Sequence, residues 1–375
     1  MKIHSVLGAT SVATFLKKYW QKKPLLIPQA FAGMQAPLSR EVLFAMVARE
    51  DVESRLLTNV NDRWSLKHGP FTELPSTKKK QWTLLVQGLN LHLDTAADLL
   101  HQFRFIPDAR LDDLMISYAT DGGGVGAHFD SYDVFLLQVQ GRRRWRISAQ
   151  KDLQLKAGMP LKLLERFIPE EEYFLEPGDM LYLPPHCAHE GVAMGECMTC
   201  SIGFRAPSWQ ELGQAFLEFK ADTLELPGRY ADPGLQRSPH PAKLDDALLD
   251  RVNRQLQKIR ATRDDVTVFL GEYLSEPKPT VMFEPPEKTF TSRQFRTMLR
   301  HTALRLHRKT KMLYRERYLF INGDSFRAST ADHALLRQLA NTRELQPEAL
   351  ARASDDLLDS LHQWHENGWL AIKPG

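Results

Sequence analysis

Residues 121–130 read D-G-G-G-V-G-A-H-F-D. The glycines invite comparison with a phosphate-binding loop. Such a loop needs a helix N-terminus after it, and either a Lys-Ser/Thr pair or the three-glycine dinucleotide spacing. Here the glycines lead into A-H-F-D-S-Y-D-V-F-L-L (127–137), which is typical of a strand and holds no lysine. The stretch therefore argues against a nucleotide loop, and its chemistry lies in its last three residues.

His128 and Asp130 are candidate metal ligands. If they lie on a strand, positions two apart point to the same face, so both side chains aim at one place. A neutral imidazole and a carboxylate suit a borderline divalent ion, and non-haem Fe(II) oxygenases use two histidines and one carboxylate. A lone H-x-D pair occurs by chance in many chains, so a third ligand is needed.

The segment E-P-G-D-M-L-Y-L-P-P-H-C-A-H-E (176–190) supplies that ligand. It resembles the second cupin motif, G-D-x4-P-x4-H, with Gly178, Asp179 and Pro184 in register. That register selects His189 over His186 as the third ligand. His186 stands where the motif has a glycine. The sequence thus predicts a site formed by His128, Asp130 and His189.

A basic segment, Q-V-Q-G-R-R-R-W-R (138–146), lies between the two motifs and is predicted to be a glycine hairpin followed by a strand. Arg142 and Arg144 would share one face of that strand, and Arg143 and Trp145 the other. If the Trp145 face is inward, Arg143 is a buried cation that requires an anionic partner. The planar guanidinium of Arg143 would donate two hydrogen bonds to the carboxylate of an anionic cosubstrate. The alternative is a row of solvated arginines on the barrel wall.

The composition is that of an ordinary globular protein. The chain has 375 residues, 43% of them hydrophobic, and a formal net charge of +3, which does not indicate a nucleic-acid binder. The N-terminus lacks the pattern of a signal peptide, and no stretch is long and apolar enough to span a membrane, so we expect a cytoplasmic protein. The three cysteines are too few for a disulfide framework, and C-M-T-C (197–200) lacks the partners of a zinc site.

Three regions are predicted from the change of hydrophobic period. Residues 1–206 hold short strands without long helices between them, which favours an antiparallel sandwich or barrel. Residues 207–276 have helical spacing on both sides of a Pro- and Gly-rich loop, and predict either a dimer interface or helices folded back on their own chain. Residues 277–375 begin with a proline-rich linker. The stretch Arg293–Arg317 holds nine Lys/Arg and one acidic residue, so it could contact RNA or present a solvated helix face.

Taken together, these motifs resemble the JmjC-type 2-oxoglutarate oxygenases, and most closely the bacterial ribosomal oxygenases. H-F-D (128–130), G-R-R-R-W (141–145) and P-P-H-C-A-H-E (184–190) match the family's metal and cosubstrate motifs, and F-L-K-K-Y-W-Q-K-K-P-L-L-I (15–27) resembles its N-terminal entry. The resemblance implies an α+β fold: a double-stranded β-helix (cupin, or jelly-roll) barrel, a helical dimerisation segment and a C-terminal winged-helix-like domain. It covers essentially the whole chain.

The resemblance also implies an activity and its residues. His128, Asp130 and His189 would bind Fe(II), and Arg143 would pair with the distal carboxylate of 2-oxoglutarate. The reaction would consume O2, convert 2-oxoglutarate to succinate and CO2, and hydroxylate the β-carbon of an arginine in a large-subunit ribosomal protein. Further candidates are Thr199 and Ser117 for the cosubstrate, and, for the substrate arginine, Asp121, Tyr132, Asp133 and Ser208.

Two alternatives stay open at this point. Another JmjC reaction, hydroxylation of histidine or N-demethylation, uses the same metal site. A non-catalytic cupin that binds the ribosome or RNA would use the barrel and the basic C-terminal region without any chemistry.

Overall fold

The computed structural model describes residues 6–61 and 63–372. The first five residues of the predicted N-terminal domain and the last three of the predicted C-terminal domain lie outside this part. The chain divides into two compact units: Met1–Ala206 with Pro279–Met282, and Pro207–Lys278 with Phe283–Gly375. The three-part division after residues 206 and 276 stays a prediction.

The first unit is built on a nine-stranded sheet in which every pairing is antiparallel. The order is β1-β8-β6-β9-β5-β4-β2-β3, and β7 pairs with β6. This confirms the antiparallel architecture expected from the short strands. The strands are β1 (Leu25–Ile27), β2 (Ser54–Val60), β3 (Arg63–His68), β4 (Trp82–Val86), β5 (Leu111–Ala119), β6 (Val134–Ser148), β7 (Glu171–Leu175), β8 (Met180–Leu183) and β9 (Ala188–Phe204).

Three short helices, α1 (Val12–Lys18), α2 (Arg40–Met46) and α3 (Asp94–His101), and a 3-10 turn at Leu89–Leu91 complete this unit. Its main core combines buried residues of the sheet with residues of these helices. Aromatic rings dominate one part of that core: Phe15 of α1 packs edge-on against Tyr182 of β8, with ring centroids 4.9 Å apart. Burial of such rings contributes strongly to the stability of a core.

The predicted glycine hairpin at Gly141 is wrong. Strand β6 runs through Gly141 without turning, and its register with β9 shifts between Gln138 and Arg142, which marks a bulge. Gly141 has φ +64°, and a Cβ there would lie 2.2 Å from the carbonyl oxygen of Glu196. Glycine therefore permits a left-handed residue and a close backbone approach inside a long strand.

The prediction that His128 and Asp130 lie on a strand is also wrong, because β6 begins only at Val134. His128 makes a single bridge with His189: its N–H donates to the His189 carbonyl at 3.0 Å and its carbonyl accepts from the His189 N–H at 2.8 Å. The carbonyl of Asp130 accepts a hydrogen bond from the N–H of His186 at 2.7 Å. Backbone bonds to His186, just before β9, and to His189, at its start, fix the two side chains in place of a strand ladder.

The glycine run is packed closely against β9. The N–H of Gly122 donates to the Ala193 carbonyl at 2.9 Å, and the N–H of Ala193 donates to the Gly123 carbonyl at 2.8 Å. A Cβ on Gly124 would lie 2.4 Å from the carbonyl oxygen of Gly191. These glycines let the chain approach β9 closely.

The second unit contains seven helices and six strands in the part of it that the structure describes. Two three-stranded antiparallel sheets have the orders β14-β10-β15 and β11-β12-β13. The elements are α4 (Trp209–Thr223), α5 (Asp246–Leu256), α6 (Arg263–Ser275), α7 (Ser292–Met298), β10 (Leu304–Leu306), β11 (Met312–Arg315), β12 (Tyr318–Ile321), β13 (Asp324–Arg327), α8 (Thr330–Thr342), β14 (Glu344–Leu345), α9 (Pro347–Leu350), α10 (Asp355–Glu366) and β15 (Leu370–Ile372).

The helical spacing in 207–276 is confirmed by α4, α5 and α6. The basic stretch 293–317 is not one helix face, because it passes through α7, β10 and β11. Within residues 6–61 and 63–372, no helix is long and apolar enough to cross a membrane.

Candidate metal centre and cosubstrate cavity

Three possible ligands come together where the segment after the glycine run meets the start of β9. His128, Asp130 and His189 each offer one ligand atom, and these atoms lie within 4.8 Å of one another. The two imidazole centroids are 4.2 Å apart, and Nε2 of His189 is 3.8 Å from Oδ2 of Asp130. Two imidazoles and one carboxylate form the donor set of non-haem Fe(II) oxygenases.

Backbone carbonyls fix the tautomer of both histidines. Nδ1 of His128 is 2.9 Å from the carbonyl oxygen of Gly126, and Nδ1 of His189 is 2.9 Å from that of Cys187. Because a carbonyl oxygen only accepts, each Nδ1 carries the proton and each Nε2 keeps its lone pair. Burial lowers the pKa of His189 below its usual value, and the neighbouring His128 lowers it further. Both effects favour the neutral imidazole that a metal requires.

His186, the alternative ligand, lies apart from this cluster. It is exposed, and its backbone adopts φ +63°. The left-handed conformation accounts for the glycine that the cupin motif has at this position. His186 thus shapes the turn that precedes His189.

Arg143 and Trp145 are both buried, which settles the orientation of the basic strand. Nη1 of Arg143 donates to Oγ of Ser117 at 3.0 Å and to Oγ1 of Thr199 at 3.1 Å. Nε of Arg143 is buried without a hydrogen-bond partner, and no carboxylate among the described residues pairs with its guanidinium. Its guanidinium also lies over the ring of Trp145, 5.4 Å from the centroid. A buried cation that has hydroxyl and aromatic contacts but no counter-charge favours an anionic ligand, because burying an unpaired charge is costly.

Cross-strand register explains how these hydroxyls meet the guanidinium. Ser117 on β5 stands opposite Thr199 on β9, and Thr199 stands opposite Gln138 on β6. Oγ1 of Thr199 donates to Oε1 of Gln138 at 2.8 Å. The three polar side chains therefore form a row across neighbouring strands, with Arg143 beside it.

The metal cluster and Arg143 line the same cavity, whose volume is about 390 Å³. That volume lies within the range of small-molecule sites in proteins. Its wall also contains acidic residues that the sequence argument missed, Asp112 and Asp113 on β5. Asp113 is 5% exposed. A sequence signal existed: Asp113, Met115 and Ser117 alternate along one predicted strand, so a cavity role for Ser117 implies the same face for Asp113.

Of the four candidates for substrate contact, Tyr132 lines the cavity and remains 40% exposed. Asp121 does not line it. The carboxylate of Asp121 instead pairs with Nζ of Lys80 at 2.8 Å and accepts a hydrogen bond from the N–H of Gly195 at 2.9 Å.

Asp133 and Ser208 are not among the residues that line the cavity. Asp133 is fully buried, and it accepts hydrogen bonds from the Tyr182 hydroxyl at 2.6 Å and from Nε2 of Gln21 at 3.0 Å. Ser208 caps the N-terminus of α4, where its Oγ accepts from the N–H of Glu211 at 3.1 Å. Both residues have structural roles that their sequence context did not reveal.

Comparison with known proteins agrees with this geometry. A model of the JmjC domain matches residues 98–212, and a model of the ROXA-like winged helix matches residues 255–371. The chain is 36% identical over 283 residues to the ribosomal protein uL16 3-hydroxylase of Escherichia coli, which covers 74% of each protein. The chain belongs to the JmjC-type ribosomal oxygenases. A probable ribosomal oxygenase of Haemophilus influenzae is 29% identical, over 96% of this chain and 95% of that protein.

Solved structures of Escherichia coli YcfD, a ribosomal oxygenase, have the same fold as this oxygenase. The complex of YcfD with cobalt and 2-oxoglutarate has a TM-score of 0.84 and 30% identity, and covers 98% of this chain and 99% of that one. The complex with cobalt and succinic acid gives the same TM-score. The predicted JmjC barrel and winged-helix-like domain are confirmed. The chain is a 2-oxoglutarate-dependent oxygenase, an enzyme class that uses Fe(II) and O2.

Proposed function

We propose that this oxygenase hydroxylates the β-carbon of an arginine side chain in a large-subunit ribosomal protein, and couples that reaction to conversion of 2-oxoglutarate into succinate and CO2. The observation that carries the proposal is a cavity with a metal-binding triad, a buried unpaired guanidinium and an acidic wall. A ribosomal substrate would place the enzyme in the cytoplasm.

His128, Asp130 and His189 would hold the iron. The fit rests on their donor set and on the two Nδ1–H···O=C bonds that leave both Nε2 lone pairs available. When bound, Fe(II) supplies the activation of O2 that the protein alone cannot perform. The residues of the chain hold the metal, orient both substrates and exclude water.

Arg143 would bind the distal carboxylate of 2-oxoglutarate. Nη1 of Arg143 donates to the hydroxyls of Ser117 and Thr199. The other edge of the guanidinium would donate to the carboxylate of the cosubstrate. Ser117 and Thr199 would therefore position the guanidinium of Arg143. Direct contact of these two hydroxyls with the cosubstrate is also part of this proposal. A charge-assisted pair of this kind is among the stronger hydrogen-bonded contacts in proteins.

The acidic wall supports an arginine as the substrate. Asp112 and Asp113 offer carboxylate acceptors, and Met115 and Tyr132 line the cavity beside them with apolar and aromatic surface. A guanidinium needs both, because its edge donates hydrogen bonds and its flat face stacks on aromatic or apolar groups.

Mass spectrometry tests the reaction. Iron-loaded protein with 2-oxoglutarate and uL16 should add one oxygen atom to one arginine, and fragment ions should place it on the β-carbon. The His128→Ala variant should form no succinate. If the protein were a cupin that only binds its partner, the wild type would form no succinate either. Oxygen on a histidine, or loss of a methyl group from lysine, would instead establish one of the other JmjC reactions.

We also propose that the helical segment forms a homodimer. Large apolar side chains on α4 and α5 are exposed, among them Trp209 (89%), Leu217 (69%) and Leu256 (54%). Contiguous exposed apolar surface marks an interaction site. Light scattering should give twice the chain mass for wild type and a lower mass for a Leu217→Glu/Leu256→Glu variant.

RNA contact by the basic stretch is a further proposal. Arg293, Arg300, Arg315 and Arg317 are exposed, whereas Arg296 is paired with carboxylates of α10. Affinity for ribosomal RNA should fall with added salt, and each phosphate contact removed by an Arg→Ala change should lower the salt slope by about one.

A further inference from the structure

Gln138 on β6 is a fully buried amide whose orientation is fixed at both ends. Its Nε2 donates to the carbonyl oxygens of Gln140 at 2.8 Å and of Gly141 at 3.3 Å, inside the bulge of β6. Because carbonyl oxygens only accept, these contacts identify Nε2 as the donor end of the amide. The acceptor end, Oε1, is therefore the one that meets Thr199 on β9.

The amide of Gln138 determines where the hydroxyl proton of Thr199 goes. Oγ1 of Thr199 is 2.8 Å from Oε1 of Gln138, which only accepts, so the proton of Thr199 points at Gln138. The lone pairs of Thr199 then remain for N–H donors, and Nη1 of Arg143 donates to Oγ1 at 3.1 Å. Ser117 is oriented in the same way, since its Oγ donates to the Thr199 carbonyl at 3.3 Å and accepts from Nη1 at 3.0 Å. Both hydroxyls thus act as acceptors toward the guanidinium.

These contacts use both protons of Nη1 of Arg143, one for Ser117 and one for Thr199. The edge formed by Nε and Nη2 then remains for a ligand, and Nε has no hydrogen-bond partner within residues 6–61 and 63–372. A carboxylate binds such an edge with two parallel hydrogen bonds. Since Arg143 lines the cavity, the orientation of its guanidinium determines how well this edge meets a carboxylate there.

We propose that Gln138 is a positioning residue for 2-oxoglutarate: it orients the hydroxyl of Thr199, which in turn holds Arg143 with its Nε and Nη2 edge directed at the distal carboxylate. The inference rests on the proposed pairing of Arg143 with that carboxylate. Gln138 is neither among the residues that line the cavity nor part of the metal cluster. Its effect should therefore appear in the affinity for 2-oxoglutarate and not in the affinity for the metal.

Calorimetric titration of the cobalt-loaded Gln138→Met variant tests the proposal. Methionine fills a similar volume but offers Thr199 no oxygen acceptor, so the hydroxyl loses its fixed direction. Kd for 2-oxoglutarate should rise about tenfold, the loss expected when a hydrogen bond to a charged group is weakened. Kd for cobalt should stay within about twofold of wild type. If Gln138→Met does not fold, Gln138→Asn gives the same comparison, because it keeps a buried amide but is shorter by one methylene group.

Asn90→Leu is the matched control. Asn90 is also a buried amide, its Oδ1 accepts a hydrogen bond from the N–H of Leu114 at 2.9 Å, and it does not line the cavity. The variant should lower Tm, as any loss of a buried hydrogen bond does, and leave Kd for 2-oxoglutarate unchanged. An equal rise of Kd in Asn90→Leu would show that any buried amide of this unit has the same effect, and would overturn the inference.

A double variant separates the effect through Thr199 from a general loss of structure. In a Thr199→Val background, Gln138→Met should cost less than half as much in log Kd as it does in wild type, because the hydroxyl that it orients is already gone. An additive loss in that background, or an unchanged Kd in Gln138→Met, overturns the inference. If Arg143→Met also binds 2-oxoglutarate as wild type does, the proposed pairing of Arg143 fails as well, whereas a weakened Arg143→Met beside an unchanged Gln138→Met removes the inference alone.

Discussion

Replacement of Arg143 by methionine should weaken binding of 2-oxoglutarate without destabilising the ligand-free protein. Truncating one partner of a buried, hydrogen-bonded charge pair costs about 2–5 kcal/mol, which corresponds to a loss of affinity of about 30-fold to 4,000-fold. Among the described residues, Arg143 donates to two hydroxyls, lies over the Trp145 ring and pairs with no carboxylate. Removing it also removes a buried unpaired charge, so the free energy of unfolding should fall by no more than about 1 kcal/mol.

Thermal unfolding and calorimetric titration of cobalt-loaded protein measure both quantities. Wild type should show a rise in Tm with 2-oxoglutarate that Arg143→Met lacks. Arg142→Met is the matched control, since Arg142 is exposed on the other face of β6 and pairs with Glu176. The reasoning is refuted if Arg143→Met binds 2-oxoglutarate within threefold of wild type. A loss of about 3–5 kcal/mol in stability would show instead that Arg143 is one half of an internal ion pair.

Three further outcomes are expected. His189→Ala should abolish tight binding of cobalt while His186→Ala keeps it, as measured by calorimetric titration; the reverse result would move the third ligand to His186. Gly191→Ala should lower both Tm and activity, because the added Cβ would lie 2.7 Å from the ring of Trp145. An unchanged Tm would show that the Trp145 ring can move to make room for it. Burial raises the pKa of Cys200 well above its usual value, so its thiol should resist iodoacetamide at pH 8 until the protein is denatured; rapid alkylation of the folded protein would contradict this packing.

Much of the site followed from local pattern. The spacing of the two histidine motifs selected His128, Asp130 and His189, and alternation along one strand separated Arg143 from Arg142. The ligand set came from motif spacing, since the strand expected at His128 and Asp130 is absent, whereas the two faces of β6 follow from the period of a strand. Local pattern failed at Gly141. A hairpin and a bulge both favour glycine at such a position, and only the pairing of β6 with β9 shows that the strand continues through it.

Substrate contacts were the least predictable part. Asp133 and Asp113 are both acidic residues next to apolar strand residues, and nothing local distinguishes them. Asp133 bonds to Tyr182 in the core, whereas Asp113 lines the cavity. Which of the two meets solvent or substrate depends on residues far away in the sequence.

The sequence by itself determined the strand-rich architecture of the first unit and the three candidate metal ligands, because these depend on residue type and on spacings of a few residues. Only the tertiary structure decided that Arg143 faces inward and that, among the described residues, it bonds to Ser117 and Thr199 and to no carboxylate. The physical reason is that charge pairing in a cavity depends on which strands become neighbours and in what register, and these are properties of the whole folded sheet.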